Sequence, residues 1–260
     1  MIIHTKKELM SDIKNLGINP ADTVLIHSSM KAIGEVEGRG DTVIDALTAY
    51  LSDGLLVFPT HTWEQMNATY NYYDFENEPS CVGVLTNLFR KKKGVWRSLH
   101  PTHSVAAYGR EAESFIDGEE CHHTPCPGNG CWGKLVDLDA KILFIGCSLR
   151  SNTMIHGVEE WCEIPRRLTK NPYVYLIKTR NGVVLEKSYY RHDSPFGDVS
   201  KNYGKLEKPL MKNDIARKGS FGDAEVTVCQ ARRMVDLTKA LLSKNPDLFA
   251  DSRAIPVEWY

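Results

Sequence analysis

Three short apolar runs constrain this chain more than any other feature: residues 23–27, 55–58 and 141–146. Runs of that length, bounded by turn residues, read as buried strands. Between the first two lies a helical stripe of Val43, Ile44, Leu47 and Leu51, entered through a loop punctuated by Gly34, Gly38 and Gly40. Asp53-Gly54 turns the chain into the second run and Pro59 stops it. Strand, helix, strand in this order predicts a right-handed parallel crossover. The expected fold class is therefore α/β, a mixed but largely parallel central sheet flanked by helices.

The remaining segments fit around that unit. Thr5 and Glu8 form a capping box ahead of a stripe of Leu9, Ile13 and Leu16, and Gly17 ends that helix. Residues 62–80 are polar and aromatic without periodicity, which predicts a long loop over the sheet. Residues 173–178, a turn at Asn181-Gly182, and residues 183–187 predict a β-hairpin. Residues 194–223, rich in Lys, Gly and Asp, read as an irregular excursion whose lysines (Lys201, Lys205, Lys208, Lys212) are solvated. A helix carrying Met234, Leu237, Leu241 and Leu242 closes the chain. With neither repeat nor linker, residues 1–260 are expected to form one domain with a hairpin-containing lobe around 171–223.

Charge and cysteine content limit the function classes. A formal net charge of -1 argues against nucleic acid as the main partner. No apolar run is long enough to span a membrane, and the N-terminus lacks the apolar stretch of a signal peptide. Seven cysteines in irregular spacing fit a reducing, cytoplasmic setting. A monomer and a homodimer are equally compatible with such a chain.

Chemistry is expected first in residues 151–161, just past the third apolar run. On a helix, Glu159, Glu160 and Glu163 share the face of His156, while Ile155, Val158 and Cys162 point inward. An imidazole among carboxylates is a base with an acidic vestibule for a cationic substrate; the bland alternative is a solvated helix face. Three further constellations stand out. His27-Ser28-Ser29-Met30-Lys31 follows the first strand, where ligands of open α/β sheets gather, and offers hydroxyls, amides and a charge to a phosphate-bearing ligand. Arg97, His100, His103 and Ser104 surround a Pro turn. Residues 121–131 hold Cys121, His122, His123, Cys126 and Cys131, whose spacing lacks the paired ligands of a structural zinc site.

In this order the motifs resemble the aminoglycoside 3-N-acetyltransferases, acetyl-CoA-dependent enzymes distinct from the GNAT fold, over essentially the whole chain. The resemblance rests on His27-Ser28-Ser29-Met30 with Gly34, on the Arg-Ser-x-His-Pro-x-x-Ser element from Arg97 to Ser104, and on Asn152, Thr153, His156 and Glu159 after Gly146. It implies acetyl transfer from acetyl-CoA, as co-substrate and without a metal, to a primary amine of an aminoglycoside or related amino sugar. His156 is then the general base, oriented by Glu159, with Thr153 or Ser104 as donor to the thioester oxyanion. His27, Ser28, Ser29, Met30, Lys31, Arg97, His100 and Ser104 would line the coenzyme channel. Asp74, Glu160 and Asp193 would hold the cationic acceptor, with Glu76, Glu78 and Glu163 as further acids.

Two features depart from the family pattern: Gly130-Cys131-Trp132, which invites a covalent acetyl-cysteine route, and His192-Asp193 with the Lys-rich segment after it. The competing readings are a zinc-dependent amidohydrolase built from His100, His103, His122, His123 and His156, and a non-catalytic binder of coenzyme A or amines.

Overall fold

The computed structural model describes residues 3–260. The N-terminal helix α1 (Lys6–Asn15) carries the expected capping box, with Glu8 and Thr5 bonded in both directions. Strand β1 (Thr23–Ser28) leads through the short α2 (Met30–Ile33) and α3 (Arg39–Tyr50) to β2 (Leu55–Pro59), and the two strands pair in parallel as the crossover requires. There follow β3 (Tyr72–Asp74), α4 (Val84–Phe89), β4 (Trp96–Arg97), β5 (Val105–Gly109), α5 (Ala112–Ile116), α6 (Cys131–Asp137), β6 (Lys141–Ile145) and α7 (Thr153–Trp161). The hairpin β7 (Tyr173–Lys178) and β8 (Val184–Tyr189), then α8 (Glu207–Lys212), β9 (Ala216–Phe221), β10 (Ala224–Gln230) and α9 (Ala231–Lys244) complete the chain.

The seven-stranded sheet runs β4-β5-β2-β1-β6-β10-β9. Its centre, β2-β1-β6, is parallel, and antiparallel strands extend both sides. Successive residues of β1 serve opposite faces, as a pleat dictates. Leu25 joins the core beneath α5, α6, α7 and α9, whereas Val24 and Ile26 pack with α1, α3 and α4. From β1 the chain proceeds to β2 on one side, and its other parallel neighbour is β6. This reversal opens a crevice at the C-terminal ends of the strands.

Two segments differ from the sequence-based expectation. The 62–80 stretch contributes β3, which pairs in parallel with β7 and makes the hairpin a three-stranded sheet. The region from residue 194 is not an irregular excursion throughout: it contains a 3-10 turn (Val199–Leu206), α8 and the edge strand β9. Lys205 is not solvated either, since its ammonium is inside and donates to the carbonyls of Leu248 and Asp251 at 2.7 and 2.9 Å.

Candidate active site

A cavity of about 690 Å³ occupies the crevice. Its walls come from the end of β1 (His27, Ser28), the end of β2 and the segment after it (Pro59, His61, Trp63), the turn into α7 and its first turns (Arg150, Ser151, Thr153, His156) and the segment 191–200. The charged face expected on α7 is largely inside: Glu159 is 1 % exposed, and only the His156 ring edges into the cavity. The solvated-face alternative therefore fails for this helix. Glu163 lies beyond its end, exposed and at φ 52.

His156 sits at the end of a buried relay. Its Nδ1 is 2.7 Å from the Tyr203 hydroxyl, which is 2.8 Å from Glu159 Oε2. Burial raises the Glu159 carboxyl, but the hydrogen bonds and charges of His156 and Arg167 outweigh it and hold the group below the usual carboxylate range. Burial and the neighbouring carboxylate push the Tyr203 phenol well up, so it keeps its proton. An ionised carboxylate only accepts, so the single phenolic proton goes to Glu159 and the Tyr203 oxygen accepts from His156 Nδ1–H. This network assigns the tautomer and leaves Nε2 as the unprotonated nitrogen. Arg167 Nε donates to Glu159 Oε1 at 2.7 Å, with both side chains buried.

A second network backs the other face of the imidazole. The His192 ring stacks on His156 with centroids 4.3 Å apart. His192 Nε2 and Glu160 Oε1 are 2.7 Å apart, and the same oxygen accepts the Cys126 amide at 3.0 Å. Burial pushes Glu160 up to about 7, and burial with the nearby His156 pushes His192 well down. The contact is therefore a hydrogen bond to a neutral imidazole, not an ion pair. Glu160 thus braces the wall of the site and is spent there, where the sequence suggested a substrate contact.

His61, from the segment after β2, places Nε2 3.0 Å from Thr153 Oγ1, while its Nδ1 is buried without a partner. Burial, with other imidazoles nearby, keeps His61 well below the ordinary histidine range and hence neutral. His103 lies between His61 and His192, at 4.8 Å from each.

Several sequence-selected residues stand elsewhere. Arg97 is a clamp: it donates to the Thr60, Phe75 and Glu78 carbonyls at 2.8, 2.9 and 2.6 Å and pins the 62–80 segment to the sheet. Ser104 is buried against Thr60 and donates to its carbonyl at 2.8 Å, so it neither lines the cavity nor offers an oxyanion contact. His100 is saturated, with Nε2 donating to Thr124 O at 3.0 Å and Nδ1 accepting the Thr102 and His103 amides. Its lack of a free lone pair removes it from both the coenzyme channel and any metal set. Ser29 spends its amide on Ile145 O at 2.9 Å, and neither it nor Met30 nor Lys31 lines the cavity. His27 does, though it is 5 % exposed and stacked on Phe144. Asp74 belongs to the three-stranded sheet, where it accepts from Lys178 at 2.9 Å, and Glu78 is bonded to Gln65 and Tyr70.

The soft ligands are likewise separated. His123 Nδ1 donates to Ser188 O at 2.8 Å, and among the described residues no three of the five histidines of the hydrolase alternative bring ligand atoms together at metal-binding distance. Cys126, Glu160 and His192 do place ligand atoms within 4.8 Å of one another. Cys131 is fully buried with its thiol directed at Phe115 O, and burial with Glu119 beside it pushes that thiol well up. A covalent acetyl-cysteine there would need an ionised nucleophile, which this environment opposes.

Tyr203, Arg167, His61 and His192 complete the site without having been assigned a role from sequence. Tyr203 lies 47 residues beyond His156, inside the segment read as irregular, and no local spacing marks it. A signal did exist for His192, which stood out with Asp193 as a departure from the family pattern.

The buried histidines set a pH dependence. His27 and His100 are pushed down to about 3 by burial, and His61, His103 and His192 well down. The unfolded chain takes up protons on these groups near pH 6.5 while the folded one does not, so stability is full above that pH and falls as pH drops. Each contributes about 1.4 kcal/mol per pH unit. Glu160, raised to about 7, and Glu119, also raised by burial, act with the opposite sign, but two carboxyls are outweighed by five imidazoles. Thermal melts should therefore show a steep loss from pH 6.5 to pH 5; a flat or rising melting temperature over that range would contradict neutral burial.

Comparison with known proteins places the fold and the family. Residues 25–243 match the family model described as aminoglycoside 3-N-acetyltransferase. An aminoglycoside N(3)-acetyltransferase III of Salmonella sp is 29% identical over 209 residues, covering 74% of this chain and 72% of the relative. An aminoglycoside N(3)-acetyltransferase IV, also of Salmonella sp, is 24% identical over 247 residues, 94% of this chain and 89% of the relative. Among solved structures, an AAC(3)-IVa variant in complex with gentamicin superposes with a TM-score of 0.83 at 24% identity, covering 96% of this chain and 92% of that one. AAC-IIIb in a binary complex with CoASH gives 0.82 at 21% identity, covering 94% and 97%. The mixed sheet flanked by helices is thus the fold of these acetyltransferases, and with the family model spanning most of its length, the chain belongs to the aminoglycoside 3-N-acetyltransferase family.

Proposed function

We propose that this protein transfers the acetyl group of acetyl-CoA to a primary amine of an aminoglycoside or related amino sugar, directly, with His156 Nε2 as general base. One observation carries the reading: the His156–Tyr203–Glu159 relay, which fixes the Nδ1 proton and turns a basic nitrogen to a cavity large enough for ligand. In the reaction the amine nitrogen attacks the thioester carbon while Nε2 takes its proton. The C–S bond then breaks, and coenzyme A leaves as a thiol after receiving a proton from the imidazolium. The charge that arises on His156 is balanced through Tyr203 by the Glu159 carboxylate, as in a hydrolytic triad.

Thr153 is the oxyanion donor in this reading. With its proton on Nε2, neutral His61 donates to Thr153 Oγ1 and leaves the threonine hydroxyl proton free to point into the cavity. His27 and Ser28 form the coenzyme-facing wall at the end of β1. Among the relatives, AAC-IIIb has been solved with CoASH and AAC(3)-IVa with gentamicin and with apramycin. These two ligand classes support the choice of donor and acceptor here.

The test is release of free CoA from acetyl-CoA with a panel of aminoglycosides and amino sugars, with and without chelator. Acceptor-dependent, chelator-insensitive release is expected; metal-dependent hydrolysis, or binding without release, overturns the reading. The relay adds a sharper expectation. Tyr203→Phe removes both hydrogen bonds of the relay, and the one that becomes charge-assisted when His156 takes the proton is worth about 1.5–3 kcal/mol, so kcat should fall about tenfold to a hundredfold. The acidic limb of the pH–rate profile should move as well, and a kcat within twofold of the parent with an unmoved profile would exclude the relay.

A further inference from the structure

The fixed charges around the cavity restrict the acceptor. Two aspartates and three arginines line it: Asp193 and Asp198 against Arg150, Arg167 and Arg191. Asp198 is committed, accepting from Arg150 Nη2 at 2.9 Å and from the Ser200 amide and hydroxyl at 3.0 and 2.5 Å. Arg167 is committed to buried Glu159. Among the described residues this leaves Asp193 as the cavity carboxylate with no ion-pair partner, and Arg191 as the unpaired cation, its guanidinium donating to the Trp63 and Met66 carbonyls at 2.6 and 3.1 Å. Asp193 is exposed, has Oδ1 bonded only to the following amide of Ser194 at 2.8 Å, and directly follows His192, the ring stacked on the base. Of the other acids that sequence offered for the acceptor, Asp74, Glu76, Glu78 and Glu160 are ion-paired or hydrogen-bonded elsewhere, and Glu163 does not line the cavity.

We propose that the preferred acceptor is an amino sugar or aminocyclitol with one ammonium besides the amine that reacts, and that Asp193 is the counter-charge for that second ammonium. This rests on the acetyltransfer reading above. The reacting amine must be neutral to attack, so it needs no carboxylate, and Asp193 supplies one anionic contact and no more. A heavily aminated aminoglycoside would bring its additional ammonium groups against Arg191, a like charge that no carboxylate compensates, and against an Asp198 already neutralised by Arg150.

The proposal is tested by CoA-release kinetics with glucosamine, 2-deoxystreptamine and gentamicin on the parent and on Asp193→Asn. For the parent, kcat/KM for 2-deoxystreptamine should exceed that for gentamicin by about tenfold or more, an exclusion of about 1.4 kcal/mol. An exposed ion pair is worth up to about 1 kcal/mol, so Asp193→Asn should raise KM for 2-deoxystreptamine about threefold to fivefold more than for glucosamine. Asp193→Glu, which keeps the charge, should restore the difference. Gentamicin as the best acceptor, or an equal KM increase for the one-amine and two-amine acceptors, overturns the proposal while leaving acetyl transfer intact. Absence of CoA release with every acceptor overturns the acetyltransfer reading itself, and this proposal with it.

Discussion

His156→Ala should lower kcat by about 10²–10⁴-fold while the protein remains folded. The ring contributes little to the core, being partly exposed, so the loss reports chemistry and not collapse. Its Nδ1 lies 2.7 Å from the Tyr203 hydroxyl and 3.5 Å from Glu159 Oε2; removal leaves the Tyr203–Glu159 contact intact. The remaining rate comes from positioning and from the oxyanion contact, which do not depend on the base. Steady-state CoA release at saturating acceptor, combined with a melting curve, checks this. Parent-like kcat in a folded variant would remove His156 from the mechanism. Raising the pH distinguishes a missing base from a missing binding contact, because an acceptor amine that is already neutral needs less help.

Arg167→Met should cost about 3–5 kcal/mol of folding stability. Arg167 and Glu159 are 3% and 1% exposed in their side chains, and losing one partner strands the other charge in a low-dielectric interior. Arg167 also donates, at longer range, to the Pro246 carbonyl and Asp247 at 3.4 Å, so its loss loosens the tie between the segment after α7 and the chain beyond α9. Activity should fall too, since a Glu159 without its cation is held less firmly in the ionised form that anchors the relay. Denaturant titration measures the first effect. The double variant Arg167→Met/Glu159→Gln should recover part of the stability and none of the activity, because it removes the stranded charge and the relay's acceptor together. A change below about 1 kcal/mol for the single variant would mean that water reaches the pair.

The pattern of hits and misses along the chain follows solvent exposure. Strands β1, β2 and β6 carry continuous apolar runs because both their faces are covered, and that makes them visible in sequence. Strand β9, with the sequence Ala-Arg-Lys-Gly-Ser-Phe, is an edge strand with mostly water-facing side chains and so reads as loop. Strand β3 is only three residues long and depends on β7, about a hundred positions later, for its hydrogen bonds. The same rule governed the site. His156, Glu159 and Thr153 fall on one helix and its first turn, where helical periodicity relates them.

The sequence by itself determined the α/β architecture, the helix that bears the base, and the family resemblance, because each rests on local periodicity or on motifs contiguous in the chain. It could not determine which polar residues are committed. Arg97, His100, Ser104 and Glu160 have the same chemistry in a list of residues whether they face a ligand or a backbone carbonyl. Only the tertiary structure decided that, by bringing carbonyls from Thr60, Phe75, Glu78 and Thr124 to satisfy two of them and His192 to meet a third. It likewise brought Tyr203 and Arg167 to Glu159, since a buried charge must find its partners in space and long-range packing, not chain spacing, sets where they stand.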